Sequence, residues 1–153
     1  MKLPKLKIPP VVTVLLLGSA MWATARAVPD WRMILPAGQI FAAGLILSGM
    51  ATAIAGVVSF RCAKTTVNPL QPSAASTLVT TGIYRFTRNP MYLGLLLVLL
   101  GWAVFLANVL ALIFPVTYIP LMNRLQIFPE EKALAAKFGS PFTTYQSQVR
   151  RWL

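Results

Sequence analysis

Ala37–Phe60 runs for 24 residues without a charged side chain. As a helix it would reach about 36 Å, enough to cross the hydrocarbon core of a bilayer. A segment of that length and polarity has few fates other than a membrane span. Gly44, Gly49 and Gly56, with Ala42, Ala43, Ala51, Ala53 and Ala55, give it a small-residue face suited to close helix packing. The rest of the chain agrees. Only 11% of its 153 residues are charged and 57% are hydrophobic. A soluble domain carries about 25% charged residues, so this chain cannot cover a globule with charge.

Three further segments read as spans. Val11–Val28 is apolar apart from Thr13, Ser19, Thr24 and Arg26. It reads either as a retained helix or as a secretory signal cut after Ala25-Arg26-Ala27. Pro90–Ala107 is the third span, Asn108 marks a turn, and Val109–Phe128 is the fourth, turning polar at Asn123, Arg124 and Gln126. The expected fold is an all-α integral membrane protein in a single domain, residues 1–153. It has about four spans, near 11–28, 37–60, 90–107 and 109–128, the last two forming a helical hairpin. Cytosolic helices would fill 129–153. Pro129–Phe138 has Pro in its first turn, then Glu130 and Glu131, and Gly139 as a stop. After Ser140-Pro141, Phe142, Tyr145, Val149 and Trp152 recur at spacings of 3, 4 and 3, which reads as an amphipathic helix lying in the interface.

Net charge is +11, and the basic residues cluster beside apolar runs. Anionic lipid headgroups are the expected partner, not nucleic acid. With both termini inside, twelve Lys and Arg lie on the cytoplasmic face and only Arg26 and Arg32 lie outside. Cys62 is the single cysteine, there is no histidine, and Asp30, Glu130 and Glu131 are the only acids. A protein-built metal centre is therefore not expected.

The chemistry concentrates in two polar patches. Thr81–Gly94, T-G-I-Y-R-F-T-R-N-P-M-Y-L-G, ends the long polar segment Arg61–Asn89 and enters the third span. Asn89 as N-cap and Pro90 at the first position start a helix in any protein. That does not account for Tyr84, Arg85, Arg88 and Tyr92 gathered around it. Free N–H groups and two arginines favour a carboxylate, a phosphate or a lipid headgroup. The second patch is Glu130–Glu131, where acids complement a helix N-terminus and can also bind a ribose diol or an amine. A hairpin brings the two patches to one membrane face. Gly94 and Gly101 can pack helices or admit a flat ring. Tyr145 reads as an interface aromatic.

Several runs carry a resemblance: Thr81-Gly82-Ile83-Tyr84-Arg85, Arg88-Asn89-Pro90-Met91-Tyr92-Leu93-Gly94, Pro129-Glu130-Glu131…Phe138-Gly139 and Tyr145…Val149-Arg150-Arg151. Together, from about Thr65 to Leu153, they resemble the isoprenylcysteine carboxyl methyltransferase family and its phospholipid methyltransferase relatives, as a bacterial-type member. The resemblance implies S-adenosyl-L-methionine bound at the cytosolic face of a bacterial inner membrane, and a lipophilic acceptor arriving from the bilayer. By motif, the cofactor pocket would involve Leu78, Val79, Tyr84, Asn89, Pro90, Met91, Tyr92 and Glu130, with Glu131 adjacent. The family usually has His where Asn89 stands, and Asn hydrogen-bonds but cannot shuttle a proton. Eukaryotic carboxyl methyltransferases place a substrate-binding arginine where this chain has Gln126, and Arg124 is the nearest arginine.

Methyl transfer from a sulfonium needs alignment and desolvation more than a general base. A carboxylate acceptor needs no deprotonation; an amine would need Glu130, Glu131 or water to take its proton. An acid or thiol acceptor is favoured over an amine. Two other functions fit parts of the chain. One is an NADPH-dependent membrane reductase, since the C-terminal parts of sterol reductases resemble this hairpin. The other is a small multidrug-type transporter, although its first-span glutamate has no counterpart here.

Overall fold

The computed structural model describes residues 8–63 and 76–153. Lys2, Lys5 and Lys7, and the Lys64–Ala75 part of the long polar segment, lie outside the described residues. Four long apolar elements dominate, and the described residues contain no strand. They are α1 (Pro10–Ala27), α2 (Gly38–Cys62), α3 (Pro90–Leu106) and a composite last helix. The composite begins as a tight 3₁₀ turn at Val109–Leu112 and continues as α4 (Ile113–Met122). It widens into a π turn at Asn123–Ile127 and runs on as α5 (Phe128–Phe138). Helix α6 (Ser140–Gln148) follows. Three helices are long and apolar enough to cross a membrane: α1, α2 and Val109–Phe138; α3 is a shorter apolar helix of the same kind.

The fourth span therefore does not stop before a separate helix at Pro129. The polar residues that seemed to end it, Asn123, Arg124 and Gln126, fall in the π turn. Proline lacks an N–H and clashes with the carbonyl four residues back. A π turn just before Pro129 opens the ladder there, so the chain passes the proline without breaking.

Helix α3 is central. Its widest packing is on α2, ahead of its hairpin partner α4. A Cβ on Gly94 would overlap the Gly49 carbonyl and the Ala53 backbone. A Cβ on Gly101 would lie 2.7 Å from Ile46 Cγ1 and 2.8 Å from the Ala42 carbonyl oxygen. Gly94 and Gly101 thus serve helix packing. Gly49 and Gly56 belong to the same seam, whereas a Cβ on Gly44 would meet nothing within 4 Å. On the other side, Trp102 donates from Nε1 to the Gly18 carbonyl at 3.0 Å, joining α1 to α3. Met21, Leu99, Ala103, Ala111, Tyr118 and Met122 close the core between α1, α3 and α4. Leu15, Leu16, Ile40, Leu47 and Val116 stay more than 60% exposed, an apolar exterior suited to lipid.

The hairpin turn is sealed by main chain. Ala107 takes φ +49° to reverse the chain. Met33 N donates to the Ala107 carbonyl at 2.8 Å, and Val109 N donates to the Trp31 carbonyl at 3.0 Å. Asn108, almost fully buried, donates to the Val28 carbonyl at 2.9 Å and accepts from Leu110 N at 3.0 Å.

At the other end, Gly139 (φ +59°) turns α5 into α6. The stripe on α6 does not face lipid. Phe142 and Tyr145 are buried against Val79 and Tyr84, because α6 folds back onto the Leu78–Arg85 segment. The helix stops at Gln148, Val149 is extended, and Trp152 reaches the α4 core.

Candidate functional site

A cavity of about 100 Å³ opens where the start of α3, the first turns of α5 and the folded-back α6 converge. Leu78, Val79, Tyr84, Asn89, Met91, Tyr92, Glu130 and Glu131 all line it. Pro90, the ninth residue assigned to the pocket from sequence, does not line it; it is fully buried at the first position of α3. Arg124 and Gln126 are also absent from the lining. Arg124 is exposed, and Gln126 is buried with its Nε2 donating to the Ile8 carbonyl at 2.7 Å.

The lining also includes Phe60, Thr77, Arg88, Leu134, Phe142 and Tyr145. Leu134 was within reach of sequence reasoning, since it follows Glu130 by one helical turn and shares its face. Phe142 and Tyr145 stand out in sequence as a stripe, which the period alone assigns to the interface and the fold packs on Val79 and Tyr84. Phe60 and Thr77 carry no sequence signal of this kind.

The two glutamates have opposite surroundings. Glu131 is held between two guanidiniums: Arg88 Nη2 at 2.8 Å from Oε1, and Arg151 Nη2 at 2.7 Å from Oε2. Arg151 adds a second bond from Nε at 3.1 Å. This is charge-assisted, forked pairing, the strong form of such contacts. Arg88 spends its other nitrogen on main chain, with Nη1 donating to the Gln146 carbonyl at 2.9 Å and the Val149 carbonyl at 2.6 Å. Its Nε is buried without a partner, the one such side-chain atom among the described residues. Arg88 therefore belongs to the protein's own framework, while Arg85 is exposed.

Glu130 has no basic partner among the described residues. Its Oε1 accepts a hydrogen bond from the Tyr92 hydroxyl. Tyr92 is held in turn by α4, where the Tyr118 hydroxyl donates to the Tyr92 carbonyl at 3.3 Å. The site thus keeps one carboxyl group that no basic side chain pairs among the described residues, in a lining that is largely aromatic and apolar.

Tyr84 and Tyr145 form the opposite side. Phe60 meets Tyr84 edge to face, 5.2 Å between centroids and 89° between planes. Tyr145 donates its hydroxyl to the Tyr84 carbonyl at 2.7 Å. Burial pushes the Tyr145 phenol up to about 12, opposed by the nearby Arg88 cation. Burial, then the neighbouring Tyr145 and Glu130, raise the Tyr84 phenol as well. Both rings therefore stay neutral at any physiological pH.

Asn89 stands at the N-cap position of α3 but does not cap it. Its Nδ2 donates instead to the Arg151 carbonyl at 2.9 Å. The side chain reads the segment after α6, because Thr87 and Arg88 also bond that segment.

The chain matches the phospholipid methyltransferase family over residues 37–141, a range that takes in α2, α3, the composite last helix and most of the cavity lining. It is also 46% identical over 63 residues, 41% of its length, to the whole of an uncharacterized protein of Haemophilus influenzae. No solved structure matches it. With most of its length matched, the chain belongs to the phospholipid methyltransferase family of membrane methyltransferases, within the group that includes the isoprenylcysteine enzymes.

Proposed function

We propose that the protein is an S-adenosylmethionine-dependent methyltransferase, one domain spanning residues 1–153, acting at the cytosolic membrane face on a lipophilic small acceptor. The observation that carries this reading is Glu130, a carboxyl group with no ion pair among the described residues, set beside Tyr92 in a cavity whose walls are largely aromatic and apolar. The donor set fits the cofactor. Glu130 would take a ribose diol or an ammonium group. Leu78, Val79, Met91 and Leu134 would take an apolar or flat ring. Tyr84, Tyr92 and Tyr145 would face a cation, which aromatic rings attract.

When bound, the cofactor supplies a methyl group on a sulfonium, which an acceptor displaces. This chain's part is alignment and exclusion of water. The apolar lining lowers the local dielectric, which strengthens the pull of Glu130 on positive charge. Glu131 is already neutralised by Arg88 and Arg151, so its charge is spent on holding the walls. An acceptor that is already ionised, a carboxylate or thiolate, needs no base here. For an amine, Glu130 is the group placed to take a proton. The charge distribution supports both termini lying in the cytoplasm of a bacterial inner membrane.

Calorimetry on the detergent-purified protein tests this reading. Micromolar binding of S-adenosylhomocysteine is expected, lost in folded Glu130→Ala and Tyr92→Ala. Binding of NADPH alone would instead mark a reductase, and binding of a lipophilic cation alone a transporter; either overturns the proposal.

A further inference from the structure

The cavity walls come from segments far apart in sequence. Arg88 and Glu131, which join them, are 43 positions apart. Arg151, outside the lining, bonds to both walls. Its main chain holds the α3 side: the Arg151 carbonyl accepts from Thr87 Oγ1 at 3.2 Å and from Asn89 Nδ2 at 2.9 Å. Its side chain holds the α5 side through the forked pair with Glu131. The preceding carbonyl, of Arg150, accepts from Arg88 N at 3.0 Å. The guanidinium also lies 4.5 Å from the centre of the Phe128 ring, at the start of α5.

Trp152 fixes the next position. Its Nε1 donates to Asn123 Oδ1 at 3.1 Å, in the π turn. Its ring meets Tyr118 edge-on, 6.3 Å between centroids. Tyr118 is the residue whose hydroxyl reaches the Tyr92 carbonyl. One short irregular segment thus touches the start of α3, the π turn and the first turn of α5.

We propose that Arg151 is a positioning residue that sets the separation of the Asn89–Tyr92 and Glu130–Glu131 walls, with Trp152 anchoring it on the π turn. Arg151 acts through Glu131 and Asn89. The forked geometry matters, because only a guanidinium can hold both carboxylate oxygens in one plane while its own carbonyl faces the other way. As far as ligand affinity goes, the inference rests on the cofactor reading above; the wall separation is tested without it.

The experiment uses the full chain in detergent, with Arg151→Met, Arg151→Lys and Trp152→Phe. Thermal unfolding identifies variants that remain folded. Calorimetry with S-adenosylhomocysteine reads affinity, and amide hydrogen exchange reads residues 88–92 and 130–134. In folded Arg151→Met, Kd is expected to rise about tenfold, the size of one lost charge-assisted hydrogen bond. Arg151→Lys should recover part of that loss, since a point charge replaces the fork. Trp152→Phe keeps the ring but loses the N–H, and should weaken binding by a smaller factor. Both walls should exchange faster together in each variant. Folded variants that bind like the parent overturn the proposal, as does faster exchange at one wall alone or at neither. If Arg151→Met does not fold, the lysine and phenylalanine variants decide. If the parent protein does not bind S-adenosylhomocysteine, the cofactor reading fails, and the exchange pattern alone judges Arg151.

Discussion

Asn108 and Glu131 sit at opposite ends of the α3–α4 hairpin, and each is a polar side chain withdrawn from solvent. Asn108 is satisfied wholly by main chain, at Val28 and Leu110. Glu131 is satisfied wholly by the charged side chains of Arg88 and Arg151. The Asn108 end closes into a neutral seal of side-chain amide and main chain. The Glu131 end keeps its two walls joined while a cavity remains between them. Long charged side chains can bridge a gap that main chain would have to fill. The difference explains why one end is closed by main chain and the other keeps a cavity.

The contrast is best tested by removing the centre of each network. Glu131→Ala strands two partly buried guanidiniums, 12% and 27% exposed in their side chains. It should cost about 3 kcal/mol, the lower part of the range for breaking a buried pair, since these side chains keep some solvent. Thermal unfolding in detergent should show that loss together with weaker S-adenosylhomocysteine binding. A stable variant with unchanged affinity would remove the distinction between the ends. Asn108→Ala should cost about 2 kcal/mol, since it leaves the Val28 carbonyl and Leu110 N–H unpaired. Its ligand affinity should match the parent protein, and a change there would show that the sealed end communicates with the cavity. Tyr145→Phe removes one buried hydroxyl bond, to the Tyr84 carbonyl, at about 1 kcal/mol. Its ring still lines the cavity, so affinity should fall less than in Glu131→Ala.

Much of this arrangement was legible because charge is so scarce in the chain. With three acids and no histidine, Glu130 and Glu131 could hardly be overlooked, and Asn89-Pro90 marks where α3 starts. Length and hydropathy located the apolar helices. What escaped was the set of features fixed by partners instead of by period. Pro129 looks like a helix start in sequence, but the π turn before it carries the helix through. The α6 stripe has a clear period, yet spacing does not say whether a stripe meets lipid or protein, and here it meets Val79 and Tyr84. Asn89 has the residue type of a cap, but the Arg151 carbonyl competes for its amide and wins. Gln126 holds the segment before α1, a contact across 118 positions that no local pattern announces.

The Gly49–Gly94 contact has a consequence for what the helix pair can tolerate. At that point backbone meets backbone, since a Cβ on Gly94 would run into the Gly49 carbonyl and the Ala53 nitrogen. Parting α2 from α3 would mean opening the most extensive helix pair among the described residues. Any side chain at Gly94 would have to displace backbone, so its cost falls on the whole α2–α3 pair that holds the start of α3 in place.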